Sequence, residues 1–422
     1  MNWSRREFIV KGATLFATLG LGGPLLLSKS GQPLLAESAG GAPASTPSAA
    51  ETGAPVLVVI QLSGGNDGIN TLIPYGLGGY FDARPTLAMR EDEVLAINGH
   101  VGLHPSLRGL HGMYISGRLA IVQGVGYPNP DRSHFRSMDI WQTAEPDKIG
   151  LDGWLGRYIR SSLADVSNPL KALQIGSFAN KSFQMDEVNV PVVQTLDTFR
   201  LVDPKTPVAM QNRIAESFLD MYDPNRQGVQ IGVACRRGKE AYESVAAIQS
   251  LGAGYRNKVE YPKSGFAKDL QLVVRMLAGQ SRTRVFYTQL GGFDDHAQEK
   301  EQHANLLKDL DSAVSAFYAD LEEHGLSRNV VTVVFSEFGR RVKENGSGGT
   351  DHGTAAPMFV LGPKVKGGLY GAYPSLTDID RNGDLKYAVD FRSVYQTLID
   401  RWLQGDAKSA LMKTYENIGF IV

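Results

Sequence analysis

Val56-Leu57-Val58-Val59-Ile60-Gln61-Leu62 runs straight into Ser63-Gly64-Gly65-Asn66-Asp67, and this stretch decides how the rest of the chain is read. Two other stretches repeat its form. They are Val285-Phe286-Tyr287-Thr288-Gln289-Leu290 before Gly291-Gly292-Phe293-Asp294-Asp295-His296, and Val330-Val331-Thr332-Val333-Val334-Phe335 before Ser336-Glu337. Runs this short and apolar suit strands buried on both faces, as in a parallel sheet covered by helices. Ligands of such sheets collect outside the carboxyl ends of the strands. Carboxylates gathered there repel one another unless a cation holds them. The three acid-tipped strands therefore predict a doubly wound, mostly parallel α/β fold flanked by helices, with a metal site at one rim.

Further strands are expected at Leu119–Val125, Lys171–Ile175 and Pro357–Leu361. Between Ala304 and Glu323, Leu306, Leu307, Leu310, Val314, Phe317 and Leu321 recur at helical spacing. With the runs on either side this makes a βαβ unit, which favours parallel pairing and a right-handed crossover. Val389 to Leu403 reads as a helix with Val394, Leu398, Ile399 and Trp402 on one face. Residues 177–230 carry no clean period and are read as an inserted lobe or cap within an α/β domain spanning 55–422.

Composition is ordinary for a globular chain of 422 residues, 42% hydrophobic and 21% charged. A net charge of −1 offers nothing to a nucleic acid backbone. Cys235 is the only cysteine, so an intrachain disulfide and a thiolate metal site are both excluded; it reads as a small apolar filler. Ser4-Arg5-Arg6-Glu7-Phe8-Ile9-Val10-Lys11 precedes a modestly apolar stretch broken by Gly20, Gly22, Gly23 and Pro24. That stretch is too short and too interrupted for a comfortable membrane span, so no stable transmembrane segment is expected after processing. Paired arginines in that setting read as a twin-arginine export signal over residues 1–36, with cleavage near Ala36 or Ala39. The expected location is periplasmic or otherwise exported, with the twin-arginine machinery as a partner. Residues 37–54, rich in Ala, Gly, Ser and Pro, read as a disordered tether.

The candidate site residues follow from the strand tips. Asp67 in Gly64-Gly65-Asn66-Asp67-Gly68 has turn chemistry, and its place after a buried strand reads as a metal ligand. Of Asp294 and Asp295 one is expected to cap the next helix and the other, Asp294, to coordinate. His296 and His303 share a face two turns apart if the helix begins near 297. Carboxylates with imidazole suit zinc, manganese or iron better than calcium alone. Glu337 is delivered to the sheet edge, and Arg340 is placed to bind an anionic oxygen. His352, in Thr350-Asp351-His352-Gly353-Thr354, is a ligand candidate with Asp351 orienting it. In Arg132-Ser133-His134-Phe135, Ser133 reads either as a metal-activated nucleophile with His134 as partner or as an ordinary polar loop residue.

These segments, with Asp390-Phe391-Arg392-Ser393-Val394-Tyr395, resemble the DUF1501 family of exported bacterial proteins, in order along nearly the whole mature chain. That family is similar to the alkaline phosphatase superfamily, which includes sulfatases and metal-dependent phosphomutases. The resemblance implies an alkaline-phosphatase-like core with one or two divalent ions. Asp67 would match the first-strand metal Asp and Ser133 the nucleophile position. Asp294 and His296 would be ligands, Glu337 would stand where an Asp-His pair is common, and His352 would be the final histidine. Phe338 replaces the second histidine of that pair, and the Cys/Ser-x-Pro-x-Arg pattern of formylglycine sulfatases is missing around Ser133. The expectation is thus an exported hydrolase of phosphate or sulfate esters, its metal held by Asp67, Asp294, His296, Glu337 and His352. Ser133 or a metal-bound water would attack, Arg340 would neutralise the oxyanion, and the partner would be an anionic ester. The alternative is a non-catalytic metal-binding protein in cell-surface or polysaccharide assembly.

Overall fold

The computed structural model describes residues 53–164, 168, 170–186, 188–195 and 255–422, with scattered positions from 206 to 251. The export signal, nearly all of the tether, Cys235 and most of the expected lobe lie outside the described residues. In chain order the strands are β1 (Val56–Ser63), β2 (Leu72–Ile73), β3 (Leu95–Ala96), β4 (Gly102–Leu103), β5 (Leu119–Gly126), β6 (Ala172–Ile175) and β7 (Val192–Val193). There follow β8 (Val285–Gly291), β9 (Val330–Ser336), β10 (Arg340–Glu344), β11 (Thr350–His352), β12 (Ala356–Leu361), β13 (Gly368–Tyr370) and β14 (Val389–Asp390).

The main sheet has the order β13-β5-β12-β9-β1-β8-β6-β7, with β14 also paired to β5. Every pairing in it is parallel except those of β12, which runs against both β9 and β5. The sheet is therefore mixed and mostly parallel, as expected. The expected βαβ unit is present in direction but not in adjacency. β8 and β9 are parallel and joined by the helix Glu299–Glu323, yet each pairs with β1, which sits between them. β1 takes the centre because nearly its whole length is buried and it needs cover on both edges and both faces.

Alternation along β1 divides the core in two. Val56, Val58, Ile60 and Leu62 pack with residues of the helices Gly265–Ala278 and Glu299–Glu323. Leu57 and Val59 join the opposite layer, with the helices His134–Thr143, Trp154–Ser162 and Phe391–Thr397. Helices on both faces make the sheet doubly wound. Each buried aliphatic side chain contributes on the order of 1.5–3 kcal/mol by leaving water. The C-terminal helix keeps its expected buried face, although Leu398–Trp402 continues it as a π-helix. Among the described residues, no helix is long and apolar enough to cross a membrane.

Candidate metal centre

Parallel pairing brings the tips of β1, β8 and β9 to one rim, with Ser63 beside Gly291 and Leu62 beside Ser336. The turn after β1 is tight enough to need glycine. Gly64 has φ +120°, and a Cβ there would lie 2.3 Å from the Asp294 amide nitrogen. The β10–β11 hairpin folds over the same rim and sets Arg340 opposite His352. The helix His134–Thr143 delivers its first residue from the other layer.

Three imidazoles and a carboxylate meet there. His352 Nε2 lies 3.1 Å from His134 Nε2, 3.1 Å from His296 Nε2 and 3.0 Å from Asp294 Oδ1. His296 Nε2 is 2.9 Å from Asp294 Oδ1, and His134 Nε2 is 3.5 Å from Asp294 Oδ2. The ligand atoms of His134, Asp294 and His352 all fall within 4.8 Å of one another, the only such group among the described residues.

The far nitrogens settle the tautomers. His352 Nδ1 lies 2.9 Å from the Arg132 carbonyl, which can only accept, so Nδ1 carries the proton. His134 Nδ1 lies 3.0 Å from Glu337 Oε1 and donates to it in the same way. As neutral rings, both then present bare Nε2 lone pairs to one point. Two such lone pairs 3.1 Å apart repel, and a proton or a cation has to come between them. Without a cation, a proton on one of the rings would fill that role. Burial alone would raise the Asp294 carboxyl, but hydrogen bonds from His352 and Arg340 outweigh it and hold the group at about 2. His134 is raised above its ordinary value, chiefly by the hydrogen bond to Glu337. Nitrogen and carboxylate donors oriented by outer partners suit a divalent transition metal, and metal binding would displace such a proton. Phe338 lies against two of the rings, its centroid 4.9 Å from His134 and 4.7 Å from His352.

Of the eight expected site residues, Asp294, His296 and His352 come together at the rim, and His134, expected as the partner of Ser133, joins them. The others sit differently. Asp67 is buried elsewhere: both its oxygens are taken by the Arg84 guanidinium. Burial would raise Asp67, but Arg84 outweighs it and holds the carboxyl well below the usual range. Glu337 is 1% exposed and committed to protein donors, with Oε1 accepting from the Gly64 amide (2.8 Å) and His134, and Oε2 from Ser336 Oγ (3.2 Å). It orients the His134 ring from the inner edge of the cleft.

Arg340 is also 1% exposed. Its donors go to the carbonyls of Gly65 (2.6 Å), Thr350 (2.9 Å), Gly64 (2.6 Å) and Phe293 (2.7 Å), and to Asp294 Oδ1 (3.0 Å). It ties the rim loops together and is not among the residues that line the cleft. Ser133 is exposed and stands just before the helix in extended conformation (φ −82°, ψ 126°), which turns His134 into the cluster in its place.

Other neighbours also shift. Asp295 turns inward and accepts from the Ala297 amide. Asp351 lies 3.6 Å from His296 Nδ1 and not beside the ring of His352. The helix starts only at Glu299, after a left-handed Gln298, so His303 leaves the face of His296 and is buried 2.9 Å from Asn66 Oδ1.

The cluster opens onto a cleft of about 560 Å³ lined by Ser63, Gly64, His134, Phe135, Met138, Asp139, Gln142, Lys181, Gly292, Asp294 and Glu337. Lys181, Asp139, Met138 and Gln142 were missed by sequence reasoning. Their helical spacing after His134 was a signal for three of them; Lys181 sits in a stretch without periodicity.

A family model described as "Protein of unknown function (DUF1501)" matches residues 150–404. The match takes in Asp294, His296, Glu337 and His352 and leaves β1 and His134 outside. No curated protein matches the chain. Similar solved structures include Ps i-CgsB in complex with a k-i-k-neocarrahexaose, 11% identical over 86% of this chain and 75% of that one, TM-score 0.40. The PsFucS1 sulfatase from Pseudoalteromonas sp. is 12% identical over 89% and 74%, TM-score 0.38. A protein in the alkaline phosphatase superfamily from Vibrio parahaemolyticus is 9% identical over 99% and 78%, TM-score 0.38.

Proposed function

The chain belongs to the DUF1501 family, and on its own geometry we propose that this member is an exported, metal-dependent hydrolase of phosphate or sulfate esters. One observation carries the reading: the Nε2 lone pairs of His134 and His352 point with Asp294 at a single spot beside an open cleft. Asp294 is 48% exposed, which leaves room for a further ligand, as catalytic sites require. Asp294, His134, His296 and His352 would hold the ion. A divalent cation bound there would polarise an ester oxygen and make water acidic near neutral pH. Glu337 keeps His134 in the ligating tautomer. Arg340 fixes Asp294 while pinning the loops that carry it. His296 is the most exposed imidazole of the three and would hold the ion from the solvent side.

A second reading, a metal-binding protein without turnover in cell-surface or polysaccharide assembly, draws on the position of Ser133 outside the cleft-lining residues. Metal analysis of the purified chain, with turnover of p-nitrophenyl phosphate and p-nitrophenyl sulfate, separates the two. The hydrolase reading expects a bound divalent ion and turnover of at least one ester, both lost on Asp294→Asn. Retained metal without turnover of either ester favours the second. Export is carried by Arg5 and Arg6; replacing both with lysine should keep the protein in the cytoplasm.

A further inference from the structure

One face of the helix that begins at His134 lines the cleft, and its character changes along the axis. His134 sits at the metal end, Phe135 and Met138 follow, and Asp139 and Gln142 come last. Lys181 closes the far end from outside the helix. Phe135 is 92% exposed, a large aromatic face with no protein covering it.

Charges at the far end do not balance. Asp139 is shared by two cations, with Arg136 Nη1 at 2.5 Å from Oδ2 and Lys181 Nζ on Oδ1. One carboxylate neutralises one of them. Arg136 is consumed by the protein, its Nη2 donating to the carbonyls of Pro146 and Lys148 at 2.9 Å each. Lys181 has three N–H donors, directs one at Asp139 and lines the cleft. The surplus positive charge therefore faces the cavity.

We propose that Lys181 forms a second anion subsite, so that the preferred substrate is an ester carrying another anionic group across a flat or apolar spacer resting on Phe135 and Met138. The helix sets the ruler. Five residues from His134 to Asp139 advance about 7.5 Å, and eight to Gln142 about 12 Å, at 1.5 Å per residue. The two anionic groups should thus stand roughly 7–12 Å apart. Asp139 holds the Lys181 ammonium in place, and Gln142 adds a neutral donor beside it. The subsite rests on the ester-binding reading for the inner end of the cleft.

Binding of unreactive ligands tests it apart from turnover. The zinc-loaded protein is titrated calorimetrically with biphenyl-4-sulfonate, biphenyl-4,4′-disulfonate and the matching mono- and diphosphonates. The two-headed ligand should bind at least ten-fold more tightly than its one-headed partner. Lys181→Gln should erase that advantage, weakening the two-headed ligand by a much larger factor than the one-headed one, and Lys181→Arg should restore it. Phe135→Ala should weaken both ligands by a similar factor. Comparing the sulfonate and phosphonate pairs identifies the preferred head group. Equal affinities in the native protein, no binding by either ligand, or an equal loss for both on Lys181→Gln would overturn the proposal. A failure of ester turnover, with the two-headed preference intact, would overturn only the hydrolase reading.

Discussion

His134 Nδ1 stands 3.0 Å from Glu337 Oε1, so a carboxylate buried at the tip of β9 decides which nitrogen of the histidine faces the cluster. Outer partners of this kind fix ring orientation and raise ligand basicity, and losing one typically costs 10–100-fold in metal affinity. Glu337→Gln should therefore weaken zinc binding by roughly that factor, measured by competition with a chromophoric chelator. The same contact raises His134 above its ordinary value, so protons compete with the metal from a higher pH. Affinity in the native protein should fall as pH drops through neutrality, and Glu337→Gln should move that fall to lower pH.

Arg340 carries a different expectation from that of an oxyanion-binding arginine. It satisfies four loop carbonyls and Asp294 while almost fully buried. Arg340→Met leaves the buried carbonyls without donors, and an unsatisfied buried acceptor costs about 1–3 kcal/mol. Urea denaturation should show a loss of that order even in the metal-free protein. An unchanged midpoint with reduced turnover would instead return Arg340 to a substrate-binding role.

What could be read in the chain beforehand follows from how local each signal is. β1, β8 and β9 announce themselves because strands buried on both faces must be apolar throughout. Asp294 and His296 were legible as residues placed directly after such a strand, and His352 as a histidine between Asp and Gly. Asp67 has the same setting and a different fate, because Arg84, 17 residues on, claims both its oxygens. No periodicity reveals that pairing. That His134 and not Ser133 enters the cluster hangs on one extended residue before a helix, a backbone detail that composition does not carry. Arg340 could be named but not understood, since its role depends on where the carbonyls of Gly64 and Gly65 point.

Asp67 and Arg84 belong to a second buried network with its own pH signature. Glu299 lies against Asp67, accepts from Thr350 Oγ1 at 2.6 Å, and is pushed up to about 9, first by burial and then by the Asp67 charge. The folded chain thus keeps a proton that the unfolded chain releases above the ordinary value of 4.5. With more protons bound in the folded state, stability from this group is complete below 4.5 and declines as pH rises toward 9. Glu299→Gln keeps the shape and removes the titration. Melting temperatures from pH 5 to 9 should therefore show a variant whose advantage over the native protein grows with pH. A constant offset across that range would mean that Glu299 is ionised in the fold.

Gly64 gives the sharpest test of how the rim is assembled. Its φ of +120° is unfavourable for any residue with a Cβ, and that Cβ would lie 2.3 Å from the Asp294 amide and 2.7 Å from the Phe293 carbonyl carbon. Both obstacles are backbone, so Gly64→Ala cannot be relieved by turning a side chain. The β8 tip has to move, taking Asp294 from His352 and from the Arg340 guanidinium. Strain of this kind costs on the order of 1–3 kcal/mol, well within what a core of this size tolerates. The variant should fold with a slightly lowered melting temperature and lose most of its zinc affinity. Native-like affinity in Gly64→Ala would show that Asp294 does not depend on the β1 turn for its position.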